Sequence, residues 1–206
     1  MDNYINIGGI VMSNYFIIHG TLGNPNENWF PWLTEKLMSA GKEVIIPHFP
    51  GAEDQNYDNW SKLLMYYYDL GLVNEDTVFI CHSIAPIFIC KFLVKNKIEV
   101  KALISVSGFN AILNNELDEL NKTFLMEEKE LIKVEKYIKY IYCFYSDNDP
   151  YIPRDELEKF IYILKGGKCL VKGAGHFNLD SNYKEFPQMI EAIDKMEKSA
   201  FKRELL

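Results

Sequence analysis

The sequence predicts an α/β fold of three layers, a mostly parallel sheet of about six strands with helices on both faces and a small insertion. Three observations point there. Short apolar runs of buried-strand length alternate with stretches of helical periodicity along the whole chain. At 206 residues, 48% hydrophobic and 14% aromatic, the chain can build one sizeable core and falls short of two, so a single domain over 1–206 is expected. Finally, the polar residues that interrupt the pattern fall at the carboxyl ends of the apolar runs, where open parallel sheets bind ligands.

Residues 15–18, bounded by His19 and Gly20, read as the first core strand, while residues 4–12 read equally as a leading strand or a loose extension. A turn-rich loop over 21–28 leads into a helix over 29–40, with Trp29, Trp32, Leu33 and Leu37 at helical spacing and a stop at Gly41. The second strand, 43–46, ends sharply at Pro47, and the helix that follows over 57–70 has Gly71 as its cap. A third strand over 77–81 runs into a helix over 84–95, with Pro86 in its first turn where a missing N–H does no harm. Beyond the fourth strand, 102–106, the stretch 107–136 is rich in Asn, Glu and Lys and longer than an ordinary crossover; it is expected to be an insertion with helical pieces that acts as a lid. Strand 140–145, helix 154–164 and strand 169–171 come next, then a C-terminal helix over 186–201 with Met189, Ile190, Ile193 and Met196 on one stripe. Such alternation implies right-handed crossovers.

Composition narrows the function. The net charge of −7, from 22 basic and 29 acidic residues without a basic stripe, speaks against a nucleic-acid partner. Four cysteines, Cys81, Cys90, Cys143 and Cys169, lie in apolar runs without a C-x-x-C pair, which fits reduced thiols and a cytoplasmic location. The stretch before residue 13 lacks the basic flank of a secretory signal, and no run is long enough for a membrane span. With four histidines and no paired spacing, no metal site is expected, and the Walker and dinucleotide patterns fail.

At the end of the third strand, Cys81-His82-Ser83-Ile84-Ala85 has the outline of a nucleophile elbow, the tight strand-to-helix turn that lifts a serine hydroxyl over the edge of a sheet. Cys81 and Ala85 stand where G-x-S-x-G has glycines. Asp149 follows the fifth strand and His176 the sixth, giving the chain order Ser, Asp, His of the α/β-hydrolases. Serine is a poor nucleophile at neutral pH, so Ser83 requires His176 as general base, and His176 requires a carboxylate to hold its tautomer. Asp149 is chosen because Pro150 fixes the chain there; Asp147, two residues earlier, is the alternative. Gly173 and Gly175 allow positive φ beside the histidine. For a developing oxyanion, one donor is the N–H of Ile84 and the second that of Thr21, with Leu22 as the near alternative and His19 as a loop brace. Cys81 is a rival nucleophile, but it precedes the bend and belongs beneath it. Each of these residues also has a plain reading, as an N-cap, a turn aspartate or a loop histidine, with His48 and His82 structural; only joint order and placement favour catalysis.

Together the glycine-rich loop with Trp29, Trp32 and Leu33 behind it, His82-Ser83, Asp149-Pro150 with Pro153, and Gly175-His176-Phe177 resemble the retinoblastoma-binding protein nine and YdeN-like family of small serine hydrolases, a branch of the α/β-hydrolase fold. The resemblance implies Ser83, Asp149 and His176 as nucleophile, acid and base, with no cofactor. The expected activity is hydrolysis of a small-molecule ester, thioester or amide through an acyl-serine. Two rival expectations keep the fold: a partner-binding module, and acyl transfer in place of hydrolysis.

Overall fold

The computed structural model describes residues 14–204; stretch 4–12 lies outside them. Six parallel strands form one sheet: β1 (Asn14–Ile18), β2 (Glu43–Ile45), β3 (Val78–His82), β4 (Val100–Val106), β5 (Ile138–Ser146) and β6 (Gly167–Val171), in the spatial order β2-β1-β3-β4-β5-β6. The helices are α1 (Phe30–Ser39), α2 (Tyr57–Asp69), α3 (Ala85–Asn96), α4 (Asp118–Asn121), α5 (Glu128–Leu131), α6 (Arg154–Leu164) and α7 (Pro187–Glu204). The expected strands and long helices are all present, with ends displaced by one to three residues. Stretch 107–136 holds the short helices α4 and α5 and a 3-10 turn over Ile132–Lys136.

Strand side chains alternate between two cores, as a sheet covered on both faces requires. Phe16, Ile18, Phe79, Cys81, Leu103 and Cys143 face α2, α3 and α6. Their neighbours Tyr15, Ile17, Val78, Ile80, Ile104 and Phe144 face α1 and α7. The expected stripe on the last helix does its work there, since Met189 and Ile193 are buried against the sheet. A polar clasp reinforces it: Tyr15 Oη donates to Glu197 Oε1 at 2.6 Å, and Lys42 Nζ meets the same oxygen at 2.5 Å.

The chain winds from β1 to β2 in one direction and from β3 onwards in the other, so the switch point falls between β1 and β3, which are hydrogen-bonded neighbours. Loops leaving these two strands diverge to opposite faces and open a crevice at their carboxyl ends. Ser83 and the loop starting at Gly20 lie there. Among the described residues no helix is long and apolar enough to cross a membrane.

The insertion is built into the core at its base. Phe124 is fully buried, with its ring 4.8 Å from Trp60 and 5.9 Å from Phe88. Asn110 pins the neck by accepting from Met126 N–H at 3.0 Å and donating to Met126 O at 2.8 Å. Accordingly Phe124→Ala is expected to lower stability by about 3 to 5 kcal/mol, the range for emptying a buried aromatic site. Urea unfolding measures it, and a loss below about 1 kcal/mol would show that the insertion packs only peripherally.

Candidate active site

Ser83 sits on the bend between β3 and α3 with φ of 61°, the left-handed region that side chains disfavour. Its N–H donates to Val106 O of β4 at 2.9 Å, so the neighbouring strand holds the bend. Gly20 makes the approach possible, because a Cβ there would stand 2.7 Å from Ser83 Cβ. Ile84 is the N-cap of α3, and Pro86 occupies its first turn. Cys81 and Ala85 fit without displacing this turn: both are buried, and Cys81 keeps its sheet register opposite Ile18 and Ser105. Burial pushes the Cys81 thiol well above its ordinary pKa, so it stays protonated in the core and is no nucleophile.

Of the two acids, Asp149 faces the imidazole. Its Oδ2 accepts from His176 Nδ1 at 2.8 Å and from Ser107 Oγ at 2.9 Å, while Oδ1 accepts from the N–H groups of Tyr151 and Ile152 at 3.0 and 3.1 Å. Burial alone raises this carboxyl, but the hydrogen bond and charge of His176, with the two backbone donors, outweigh it and hold Asp149 below the ordinary aspartate range. Asp147 does something else: its Oδ1 accepts from Gly173 N–H at 2.8 Å, and Asn148 Oδ1 accepts from Gly175 N–H at 2.8 Å. Both therefore shape the histidine loop.

That loop turns as the glycines predict, with φ of 70° at Gly173 and 54° at Gly175. His176 N–H donates to Ser181 Oγ at 3.2 Å. His82, beside the serine, bonds through Nε2 to the His176 carbonyl at 2.8 Å and packs against the His176 ring at 4.8 Å. A carbonyl only accepts, so His82 carries its proton on Nε2. Burial first, then the nearby His176, bring its pKa down to about 3. His82 is thus a neutral strut under the histidine loop.

His19 holds the loop after β1 in the same manner. Its Nε2 accepts from Phe49 N–H at 3.0 Å, which leaves Nδ1–H to donate to Gly20 O at 2.9 Å. Gly23 N–H donates to the same carbonyl at 3.2 Å. With that carbonyl fixed, the trans peptide aims Thr21 N–H in the opposite direction. Leu22 N–H donates to Gln55 Oε1 at 2.8 Å and is occupied. Among the described residues, no acceptor claims the N–H of Thr21 or of Ile84.

Ser83, His176, Gly20, Thr21 and His82 line one cavity of about 380 Å³. Among the described residues Ser83 Oγ makes no hydrogen bond with His176; such contacts commonly tighten only around substrate. Phe109, Leu113, Leu117, Ile152 and Leu179 supply apolar walls. The charged lining consists of Glu27 and Asp180, with neither lysine nor arginine. His48 lies off the cavity, its ring 6.1 Å from that of His19. Among the described residues no group of three His, Cys, Asp or Glu side chains is placed to hold a metal. Residues missed from sequence are Ser107, Ser181, Gln55 and Asn121. Ser107 follows β4 and carried the same strand-end signal as Ser83; the others carried none.

Sheet order, switch point and cavity are those of the α/β-hydrolase fold. Residues 15–195 match the family model described as "Serine hydrolase", and the chain belongs to that family. It is 25% identical over 182 residues to YdeN of Bacillus subtilis (strain 168), spanning 86% of this chain and 93% of YdeN. The crystal structure of the ydeN gene product superposes with a TM-score of 0.80 at 22% identity, covering 91% of this chain and 100% of that one. A carboxylesterase structure from the ammonia-oxidizing thaumarchaeon Nitrososphaera gargenis has a TM-score of 0.68 at 11% identity over 94% of this chain and 92% of its own.

The two neutral histidines set a pH dependence of stability. Burial lowers the folded pKa of both His19 and His82 below that of an exposed histidine. The unfolded chain therefore binds more protons below about pH 6.5, and their contribution, complete above that value, is lost as pH falls, towards about 3 for His82. Asp149 adds a loss only below about pH 4, its unfolded range. Stability from urea unfolding is expected to decline steadily from pH 7 to pH 4.5, by on the order of 1 kcal/mol per pH unit from His82, with His19 adding a loss in the same direction. A flat profile over that range contradicts the assigned neutral states.

Proposed function

We propose that the protein cleaves a carboxylic ester, or a thioester or amide, through an acyl-Ser83 intermediate. The observation that carries the reading is the Asp149–His176 pair, 2.8 Å apart, on the cavity that Ser83 lines. Asp149 holds the imidazole with its proton on Nδ1, so Nε2 is free to take the proton from Ser83 Oγ as it attacks the substrate carbonyl. The resulting imidazolium is stabilised by the ionised carboxylate. Negative charge on the carbonyl oxygen is met by the N–H groups of Thr21 and Ile84, and Leu22 is set aside because its N–H is occupied. His176 then protonates the leaving group, and water repeats the sequence to free Ser83. The chemistry calls for no cofactor.

The cavity supports a small, uncharged acyl group, since its apolar walls enclose about 380 Å³ and its charged lining is acidic. Residues 110–119, beyond the neck that Asn110 pins to Met126, are the part of the insertion that would act as a lid. Leu113, Asn115 and Leu117 lie there, on the cavity wall. Buried free thiols at Cys81, Cys90 and Cys143 fit a reducing, cytoplasmic compartment.

A fluorophosphonate probe is expected to label Ser83, and Ser83→Ala to abolish both labelling and hydrolysis of p-nitrophenyl butyrate. Labelling at another residue, or full activity in the variant, overturns the reading. Asp149→Asn is expected to lower kcat by about 10³ to 10⁴, because the imidazole loses its tautomer; a change below tenfold would remove Asp149 from the role. The acidic lining predicts that mono-p-nitrophenyl succinate is turned over about tenfold less efficiently than the butyrate ester at low salt, with the gap narrowing as salt is added. Equal kcat/KM for the two esters would contradict that.

A further inference from the structure

The insertion reaches the oxyanion loop through one buried amide. Thr21 Oγ1 donates to Asn121 Oδ1 at 2.6 Å, and Gln55 Nε2 approaches the same oxygen at 3.4 Å. Gln55 completes the link by accepting Leu22 N–H on Oε1 at 2.8 Å. Both amides are buried, so their polar atoms depend on these partners. The loop they hold needs restraint: Leu22 has φ of 55°, a conformation that leucine disfavours, and the adjoining peptides rotate readily unless pinned.

The far side of Asn121 is fixed in its turn. Thr123 Oγ1 accepts from Tyr57 N–H at 3.0 Å at the start of α2, and Lys91 Nζ of α3 donates to the carbonyls of Thr123 and Leu125 at 2.7 and 2.8 Å. Phe124 is buried between them. Asn121 therefore stands at the junction between an anchored base and the cavity wall formed by Leu113 and Leu117. Three contacts surround the loop: His19 on the Gly20 carbonyl, Gln55 on Leu22 N–H and Asn121 on the Thr21 hydroxyl.

We propose that Asn121 and Gln55 are positioning residues for the oxyanion loop, so that the insertion sets the aim of Thr21 N–H as well as walling the cavity. This rests on the reading of Ser83 as nucleophile and Thr21 N–H as oxyanion donor. The hydroxyl-to-amide bond acts on the side chain of the residue whose backbone does the work, and its loss frees the loop without removing the donor.

Thr21→Val isolates the effect, because it keeps the backbone N–H and removes only the hydroxyl donor. Its kcat on p-nitrophenyl butyrate is expected to fall about tenfold or more, the direction of a misaligned oxyanion donor, with KM within about threefold and a thermal midpoint lowered by a few degrees, because the buried Asn121 oxygen loses its short donor. Thr21→Ser restores the bond and should recover kcat. Asn121→Ala should match the valine variant in kcat. Wild-type kcat in both T21V and N121A, a loss confined to KM, or a serine variant as impaired as the valine one would overturn the inference while leaving Ser83 in place. Wild-type protein that neither turns over the ester nor labels at Ser83 would overturn the nucleophile reading, and this inference with it.

Discussion

The bend at Ser83 is the constraint on which the rest of the site depends. A serine in the left-handed region carries strain of about 1 to 3 kcal/mol, and it persists because its surroundings leave it nowhere else to go. Its N–H is tied to β4 through Val106 O, its Cβ is packed against Gly20 from the loop after β1, and the preceding His82 reaches the carbonyl of His176 beyond β6. One neighbouring strand and two strand-end loops thus converge on two consecutive residues. Moving the bend would disturb all of them, which explains why Cys81 and Ala85 are tolerated: they are small enough to fill the core beside it without pushing on it.

Charge within this arrangement is placed sparingly. Asp149 remains ionised although partly buried, because four donors surround its two oxygens. His19 and His82 remain neutral for the opposite reason: burial disfavours the charged ring at both, and at His19 the acceptor role of Nε2 towards Phe49 N–H also requires the uncharged form. The result is one fixed negative charge beside an imidazole that can accept a positive one. The neighbouring histidines serve as props and carry no charge of their own.

Much of this was legible in the sequence. Apolar runs such as 15–18 and 77–81 announced buried strands because their length and composition fit nothing else, and the helical stripes followed. Ser83, Asp149 and His176 stood out since each breaks an apolar pattern at a strand end. Stretch 107–136 was legible as an insertion but its anchoring was not, because a single buried ring, Phe124, decides it and carries no periodic signal. Gln55 and Asn121 likewise look like any loop amide; their importance comes from partners 33 and 100 residues away from them in the chain.

The sequence by itself determined the order of strands and helices, the two-faced burial of the sheet and the residues available at its carboxyl edge, since these depend on local periodicity and on turn chemistry. Only the tertiary structure decided between neighbours of the same type. Asp149 faces His176 while Asp147 holds Gly173, and among the described residues Thr21 N–H is unclaimed while Leu22 N–H is bonded to Gln55. Residues one or two positions apart share their local signals, and what separates them is the direction of a peptide plane or a side chain, fixed by contacts from distant parts of the chain.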